Sequence, residues 1–334
     1  MRFAFTEDQD AFAEATRELF ADRCGPDAVR RAWASDDGRL PDLWSQLVEM
    51  GVVGMLAPEA SGGLGLGLVD LVRVLHEAGR AAVPSPLSVV AAVAVPALVE
   101  SGDVGAAALA GLLDGSATVA VGLEPDTVVA DAATAACLLL ESDGVLHLVA
   151  RDLVELESVE SVDGARRLSR VAAGWLGEAT PLGVTTRTSL DRLATARAAE
   201  LCGLADRMVE LTVDYVIERR QFGVPIGSFQ AVKHHLSNAL LAAEFAKPLV
   251  WRAALSLTEG DPDASVHASA AKAAASDAAV KVSELALQCH GAIGYTVEHD
   301  LHLFMKRAWA LAATAGDARW HRRRIAVEWG LLPT

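Results

Sequence analysis

Residues 218–235, ERRQFGVPIGSFQAVKHH, decide how this chain folds. An apolar series at helical spacing (Leu201, Leu204, Met208 and onward) runs into this stretch and ends at two adjacent arginines. Pro225 has no backbone N–H and disfavours helix in the residue before it. We therefore expect a break at residues 223–225, a turn at Gly227 and a second helix beginning near Phe229. The sequence predicts a helix–turn–helix corner.

Side chains with binding potential are concentrated at this corner: Arg219, Gln221, Phe222, Phe229 and Gln230. A guanidinium can hold a pyrophosphate with two parallel hydrogen bonds, whereas an amide can reach the edges of ribose or adenine. A phenyl ring can lie against adenine. The alternative is a plain helix hairpin with solvated arginines, and composition alone does not separate the two interpretations.

A second motif, QCHGAIGY at residues 288–295, closes an alanine-rich helix with a glycine turn. The two motifs together resemble the paired signatures of the acyl-CoA dehydrogenase family, R-x-Q-F-G…F-Q and, downstream, Q-x-x-G-x-x-G-[YF]. Residues 56–65, LAPEASGGLG, are similar to the V-P-E-x-x-G-G-x-G loop of that family. The resemblance covers nearly the whole chain and is weakest in the middle. It adds Gln288 and Gly291 to the cofactor-binding residues.

Composition restricts the class of protein. The 334 residues are 52% hydrophobic, which suits packed helices, and this length predicts two or three domains. A net charge of −15 argues against nucleic acid or an anionic membrane as the main partner. The four cysteines and the histidines lack metal-ligand spacing, so we expect no metal and a reducing, cytoplasmic setting. The acidic N-terminus and the short apolar runs predict neither a secretory signal nor a membrane span.

The residue pattern changes twice along the chain. Helical periodicity covers residues 6–113, with Thr6 as the first cap, and the glycine-rich loop at 61–67 has no lysine after it to make a P-loop. Short β-rich segments follow, which predict a small antiparallel sheet. Helices are then expected near 190–218, 228–258, 264–289 and 297–329, as an antiparallel bundle. The predicted fold is mainly α with a small β domain, acyl-CoA dehydrogenase-like: an N-terminal helical domain (1–115), a reduced β domain (116–188) and a C-terminal four-helix bundle (189–334).

The resemblance implies a specific chemistry. Family members use a carboxylate to remove a proton α to a thioester carbonyl and pass a hydride to the flavin of FAD. Counting from Gly294, the segment that carries the usual glutamate base falls on residues 314–317, with Ala315 in its place. The base position of some other relatives falls on Leu193. Neither side chain accepts a proton, so we expect no catalytic residue in this chain.

Two carboxylates remain as alternative bases. Asp317 and Asp191 lie two residues from these positions, but two residues turn a helix by about 200°. The flavin-facing part is also incomplete. Residues 124–127, EPDT, begin the E-P-x-x-G-S-D-like loop of the family without its G-S-D portion, and Trp175 is interpreted as structural.

The motifs for the distal half of FAD are thus retained while those for the flavin ring are missing. In the family, this combination implies an α2β2 assembly in which one chain carries the base and the flavin pocket and the other donates the corner. We predict a non-catalytic subunit whose partner is a homologous catalytic acyl-CoA dehydrogenase that holds the acyl-CoA, with a steroid side-chain thioester as the expected substrate. The alternatives are a complete homomeric dehydrogenase with a relocated base and a flavin-free scaffold.

Overall fold

The computed structural model describes residues 4–333 and begins with a layer of helices. Thr6 caps the first helix: its Oγ1 accepts the N–H of Gln9, and the Gln9 side chain accepts the N–H of Thr6. This confirms the predicted start. The helices are α1 (Glu7–Arg23), α2 (Pro26–Ala34), α3 (Pro41–Glu49), α4 (Leu68–Arg80), α5 (Leu87–Val89), α6 (Val95–Glu100) and α7 (Ala106–Leu113).

The apolar run that follows residue 86 lies in the protein core. A π-helical turn, Val90–Ala94, joins α5 to α6, and all five of its residues are buried. Within residues 4–333, no helix is long and apolar enough to cross a membrane.

The middle of the chain forms two small sheets, ordered β1-β3-β4-β7 and β2-β6-β5. Their strands are β1 (Val119–Gly122), β2 (Val129–Ala130), β3 (Cys137–Ser142), β4 (Val145–Ala150), β5 (Leu156–Val159), β6 (Leu168–Val171) and β7 (Thr180–Thr185). The prediction of a purely antiparallel sheet is wrong, because β1 pairs with β3 in parallel, Val119 opposite Cys137. The stretch between them contains β2 and is long enough to return the chain to the same edge, as a parallel connection requires.

The C-terminal part is a bundle built from α8 (Thr186–Glu218), α9 (Gln230–Glu259), α10 (Ala264–His290), α11 (Leu301–Ala312) and α12 (Ala318–Glu328). A short hairpin of β8 (Arg220–Gln221) and β9 (Val224–Pro225) separates α8 from α9, where the break was expected. The single fourth helix predicted over 297–329 is wrong. Ala315 and Gly316 both adopt left-handed backbone (φ 55° and 82°), which ends the helical path, and Asp317 caps a new helix.

Two glycines allow α4 and α8 to cross closely. A Cβ at Gly203 would lie 1.9 Å from the His76 carbonyl oxygen, and one at Gly79 would lie 2.1 Å from the Glu200 oxygen. This contact fixes α8 against the N-terminal helices. Helix α8 then runs without a break from the sheets to the corner, about 50 Å at 1.5 Å per residue.

Candidate functional site

The corner between α8 and α9 presents its side chains to solvent. Arg219 follows the last residue of α8, and Phe222 and Gly223 form a tight turn with φ of 53° and 82°. Phe222 is 92% exposed and meets Phe229 edge to face, with ring centroids 6.2 Å apart. Such an exposed aromatic pair is available to stack against a planar ligand.

The polar side chains of the corner are exposed as well. Arg219, Gln221, Gln230 and Gln288 all reach solvent. Among residues 4–333, the Arg219 guanidinium has neither a hydrogen bond nor an ion pair. The structure therefore leaves its donors free for an anionic group such as a pyrophosphate.

The second motif adjoins the corner through Tyr215, one turn before Arg219. The Tyr215 ring stacks on His290, with centroids 4.4 Å apart and an interplanar angle of 21°. Its hydroxyl donates to the His290 carbonyl oxygen at 3.3 Å. Gly291 then ends α10 with φ 64° and ψ −140°, a conformation that favours glycine. Tyr215 thus ties α8 to the end of α10, a role that its place in an apolar series did not reveal.

The residue at the predicted base position, Ala315, is buried and bonded to other parts of the chain. Ala315 is 1% exposed, and its N–H donates to Asp126 Oδ2 at 2.8 Å. Its carbonyl oxygen accepts from His321 Nε2 at 2.8 Å. Asp126 belongs to the expected flavin-facing loop, residues 124–127. The loop and the turn at residues 314–317, which we call the base turn, are therefore in direct contact. Burial raises the pKa of Asp126.

A buried lysine on α10 forms hydrogen bonds with the base turn and with the end of α11. Lys272 Nζ donates to Ser276 Oγ at 3.0 Å, to the Ala312 carbonyl at 3.1 Å and to the Gly316 carbonyl at 3.0 Å. Burial lowers the pKa of Lys272 to about 7. Sequence analysis did not single out Lys272; the available signal is a lone lysine within an alanine-rich helical stretch. We call the contacts of Asp126, Ala315, Lys272 and His321 the closed cleft.

Both alternative bases are engaged elsewhere. Asp317 is exposed and accepts the N–H of Trp320 at 2.7 Å, as the cap of α12. Asp191 is buried, accepts from Ser265 Oγ at 2.6 Å and is ion-paired with Arg324. Leu193 lies in the hydrophobic core. Each carboxylate therefore has a structural partner.

The space beside the flavin-facing loop is small. Trp175 packs edge to face against His147, with centroids 6.0 Å apart, in keeping with a structural role. Together with residues of the loop it lines a cavity of about 150 Å³. Ligand sites usually measure roughly 300–1,000 Å³, so the pocket that this chain forms by itself beside the loop is smaller than a typical ligand site.

Comparison with known proteins identifies the family. The model described as "Acyl-CoA dehydrogenase, C-terminal domain" matches residues 183–329, and the corresponding N-terminal domain matches residues 6–105. The acyl-CoA dehydrogenase IpdE2 of Mycobacterium tuberculosis is 36% identical, over 96% of this chain and 97% of that protein. The chain belongs to the acyl-CoA dehydrogenase family. The family resemblance seen in the motifs is thereby confirmed.

Solved structures agree with the fold. The steroid ACAD Tcur3481–Tcur3483 (G363A variant) has a TM-score of 0.89 and 28% identity, covering 97% of this chain and 99% of that one. The ChsE4–ChsE5 complex of M. tuberculosis has a TM-score of 0.87 over the full length of both chains; at 23% identity it supports the fold alone. The predicted fold class is confirmed. So are the enzyme class, an oxidoreductase acting on CH–CH bonds, and FAD as the cofactor of this family.

Within residues 4–333, neither a group of metal ligands nor a reactive thiol is present. In the part of the chain that the structure describes, no three His, Cys, Asp or Glu side chains are grouped to hold a metal ion. The four cysteines are unpaired, and burial raises the pKa of the Cys24 and Cys202 thiols to about 12.

Proposed function

We propose that this chain is the non-catalytic subunit of a heteromeric, FAD-dependent acyl-CoA dehydrogenase. The assembly desaturates a CoA thioester between its α and β carbons, with a steroid side-chain acyl-CoA as the substrate class. The observation that carries the proposal is the direct Asp126–Ala315 hydrogen bond in a chain whose corner stays open. A cytoplasmic location belongs to the same proposal and fits the four unpaired cysteines.

The closed cleft leaves no place for the reaction. Desaturation needs a carboxylate within hydrogen-bonding reach of the α proton, and it needs the thioester between that base and the flavin. Here the flavin-facing loop and the base turn are joined across 2.8 Å. Ala315 offers no proton acceptor on its side chain, and Lys272 and His321 occupy its surroundings.

The corner lies far from the closed cleft. Lys272 and Gln288 lie on the same helix, α10, about 24 Å apart along its axis. This separation supports the proposal that the corner serves a cofactor seated in another chain. Bound FAD supplies the hydride acceptor, while this chain supplies binding and orientation only.

The roles at the corner follow from side-chain chemistry. Arg219 would hold the pyrophosphate with its unpaired guanidinium. Phe222 and Phe229 would lie against adenine, and the backbone at Gly291 would allow close approach of the ligand. The amides that would reach ribose and adenine edges are those of Gln221, Gln230 and Gln288.

The partner we propose is a homologous catalytic subunit in an α2β2 assembly. Helix α9, which begins at the corner, carries an exposed apolar series in which Phe245 is 75% exposed, with Leu240, Leu241 and Leu249 beside it. Contiguous apolar surface of this kind marks protein–protein contacts. The paired names Tcur3481–Tcur3483 and ChsE4–ChsE5 are those of structures built from two unlike chains, which supports the same arrangement here.

Co-expression tests the proposal. The chain is produced alone and together with a homologous dehydrogenase that carries the base, and flavin is quantified in each preparation. We expect little FAD and self-association for the chain alone, and one FAD for each pair of unlike chains in the complex. A flavin-saturated homotetramer that turns over an acyl-CoA would overturn the proposal in favour of a homomeric enzyme. A complex without flavin would favour the scaffold.

A further inference from the structure

A small cavity lies where the N-terminal helices, the sheets and the bundle meet. Its volume is about 20 Å³, close to the space that one water molecule or one monatomic ion needs. Four arginines line it: Arg39, Arg166, Arg197 and Arg307. Arg197 and Arg307 are buried, and Arg39 and Arg166 are half-buried. Within residues 4–333, none of the four makes a hydrogen bond to the corner or to the closed cleft.

Three of the four arginines have a carboxylate partner. Arg307 lies 3.0 Å from Asp163, and Arg197 lies 2.8 Å from Glu200. Arg39 lies 3.8 Å from Asp131. Each of these positive charges is thus matched by one negative charge.

Arg166 is the exception. Within residues 4–333, no carboxylate oxygen lies within 4.0 Å of its guanidinium, and its one hydrogen bond is a long one, from Nη1 to the Ala310 carbonyl at 3.4 Å. Burial and the neighbouring Arg197 lower the pKa of Arg166 to about 10. Of the four lining arginines, Arg166 is therefore the one without an ion pair among residues 4–333, and the nearby charges of Asp163, Asp131 and Asp126 act on it only at longer range.

Hydrogen-bond donors around the cavity are also unsatisfied. Arg197 is 6% exposed, and its Nε has no partner; the Nε of Arg39 is buried without a partner too. Buried donors without acceptors and buried charges without counter-charges both destabilise a fold. A single acceptor with a negative charge would remove both defects, whereas a water molecule would remove only the first.

We propose that this cavity binds one small inorganic anion of the chloride class, held among Arg39, Arg166 and Arg197. A polyatomic phosphate or carboxylate ligand exceeds the volume. The anion would join the three parts of the chain, because Arg39 comes from the loop between α2 and α3, Arg166 from the loop before β6 and Arg197 from α8. The proposal does not rest on the proposed function.

Halide replacement tests the site directly. Crystals of the full chain are grown with sodium bromide in place of sodium chloride, and anomalous diffraction is collected at the bromine edge. We expect an anomalous peak in the cavity. Electron density in the cavity without anomalous signal would indicate water and would overturn the proposal. An empty cavity would overturn it as well.

Thermal unfolding provides a second readout. At equal ionic strength, chloride should raise the Tm above that in gluconate by about 2–4 °C. Arg166→Met should abolish this difference. The matched control is Arg170→Met, four residues later on β6, whose exposed side chain pairs with Glu157 and which should keep the difference. Equal Tm values in both salts for the unsubstituted protein contradict the proposal.

A charge variant covers the case in which Arg166→Met fails to fold. Asp131→Asn removes one of the three paired carboxylates, so the charge around the cavity becomes more positive by one. The chloride-dependent Tm difference should then be larger than in the unsubstituted protein. A difference that stays the same or shrinks counts against an anion at this site.

Discussion

The corner and the base turn both connect two helices, but their polar groups differ in where they find hydrogen-bond partners. At the corner, the Arg219 guanidinium and the side-chain amides are exposed to solvent. In the closed cleft, the N–H and the carbonyl of Ala315 are both bonded within the protein. Polar groups exposed to solvent remain available to a ligand, whereas buried groups that are bonded within the protein do not.

This contrast supports the proposal that the chain contributes a binding corner and no reaction site. Asp126, Lys272 and His321 bond the backbone of the base turn from within the chain. At the corner, the Gln221 amide donates only to the neighbouring Arg220 carbonyl, and the Arg219 guanidinium has no partner among residues 4–333.

The largest expected effect comes from restoring a carboxylate in the closed cleft. Ala315→Glu places a charge at a fully buried position with left-handed backbone, so we expect a loss of about 3 kcal/mol or more in the free energy of unfolding. Ala313→Glu, two residues earlier and exposed, should change it by less than about 0.5 kcal/mol. Urea unfolding measures both.

The same variant also tests the missing flavin. The complex that contains Ala315→Glu should have no more FAD per chain than the unsubstituted complex, and no additional phase in single-turnover flavin reduction. A gain of flavin sites would mean that the cleft opens to a flavin ring and that its internal hydrogen bonds do not exclude a ligand.

At the corner, Arg219→Ala should weaken FAD retention in the assembled complex. Loss of a charge-assisted contact with the pyrophosphate costs about 1.5–3 kcal/mol. This corresponds to roughly one to two decades in Kd. Flavin retained after serial dilution gives the measurement, with Arg220→Ala, the exposed neighbour, as the control that should change Kd by less than about threefold. Equal losses in the two variants would remove the specific role of Arg219.

Acid should act on the closed cleft through His321. Burial lowers the pKa of His321 from 6.5 to about 3. The unfolded chain therefore binds the proton more readily, so the contribution of neutral His321 is complete above pH 6.5 and is lost as the pH falls toward 3. Between pH 7 and pH 5 we expect a loss of about 2 kcal/mol.

Denaturant titrations at the two pH values check this. His321→Gln should flatten the dependence between pH 7 and pH 5, and His234→Gln, at an exposed position of α9, should leave it as it is. An unchanged pH dependence in His321→Gln would show that another group is responsible.

The smallest effect is expected at the alternative bases. Asp317→Asn preserves an N-cap acceptor, so stability should change by only about a few tenths of a kcal/mol. Turnover of the complex should stay the same in this variant and in Asp191→Asn. A loss of several decades in turnover with flavin still bound would identify a catalytic carboxylate in this chain and favour the homomeric enzyme.

Local signals allowed the corner to be predicted, since Gly223 and Pro225 determine the break by themselves. The approximate extents of α8, α9 and α10 could be predicted as well, because apolar periodicity is also a local signal. The closed cleft could not be predicted, because its hydrogen bonds join Asp126, Lys272 and Ala315, which are far apart in sequence. The parallel pairing of β1 with β3 and the division of the last helix likewise depend on where distant segments meet.

In the proposed complex, the internal hydrogen bonds of the base turn bear on the order of assembly. Because Asp126 and Lys272 bond the base turn from within the chain, the chain would need no flavin to complete this part of its fold. Under the proposed assembly, FAD would become trapped only when both gene products have met. Surplus copies of this chain would then leave the cellular flavin pool untouched, and loading of the cofactor would serve as the checkpoint for a complete complex.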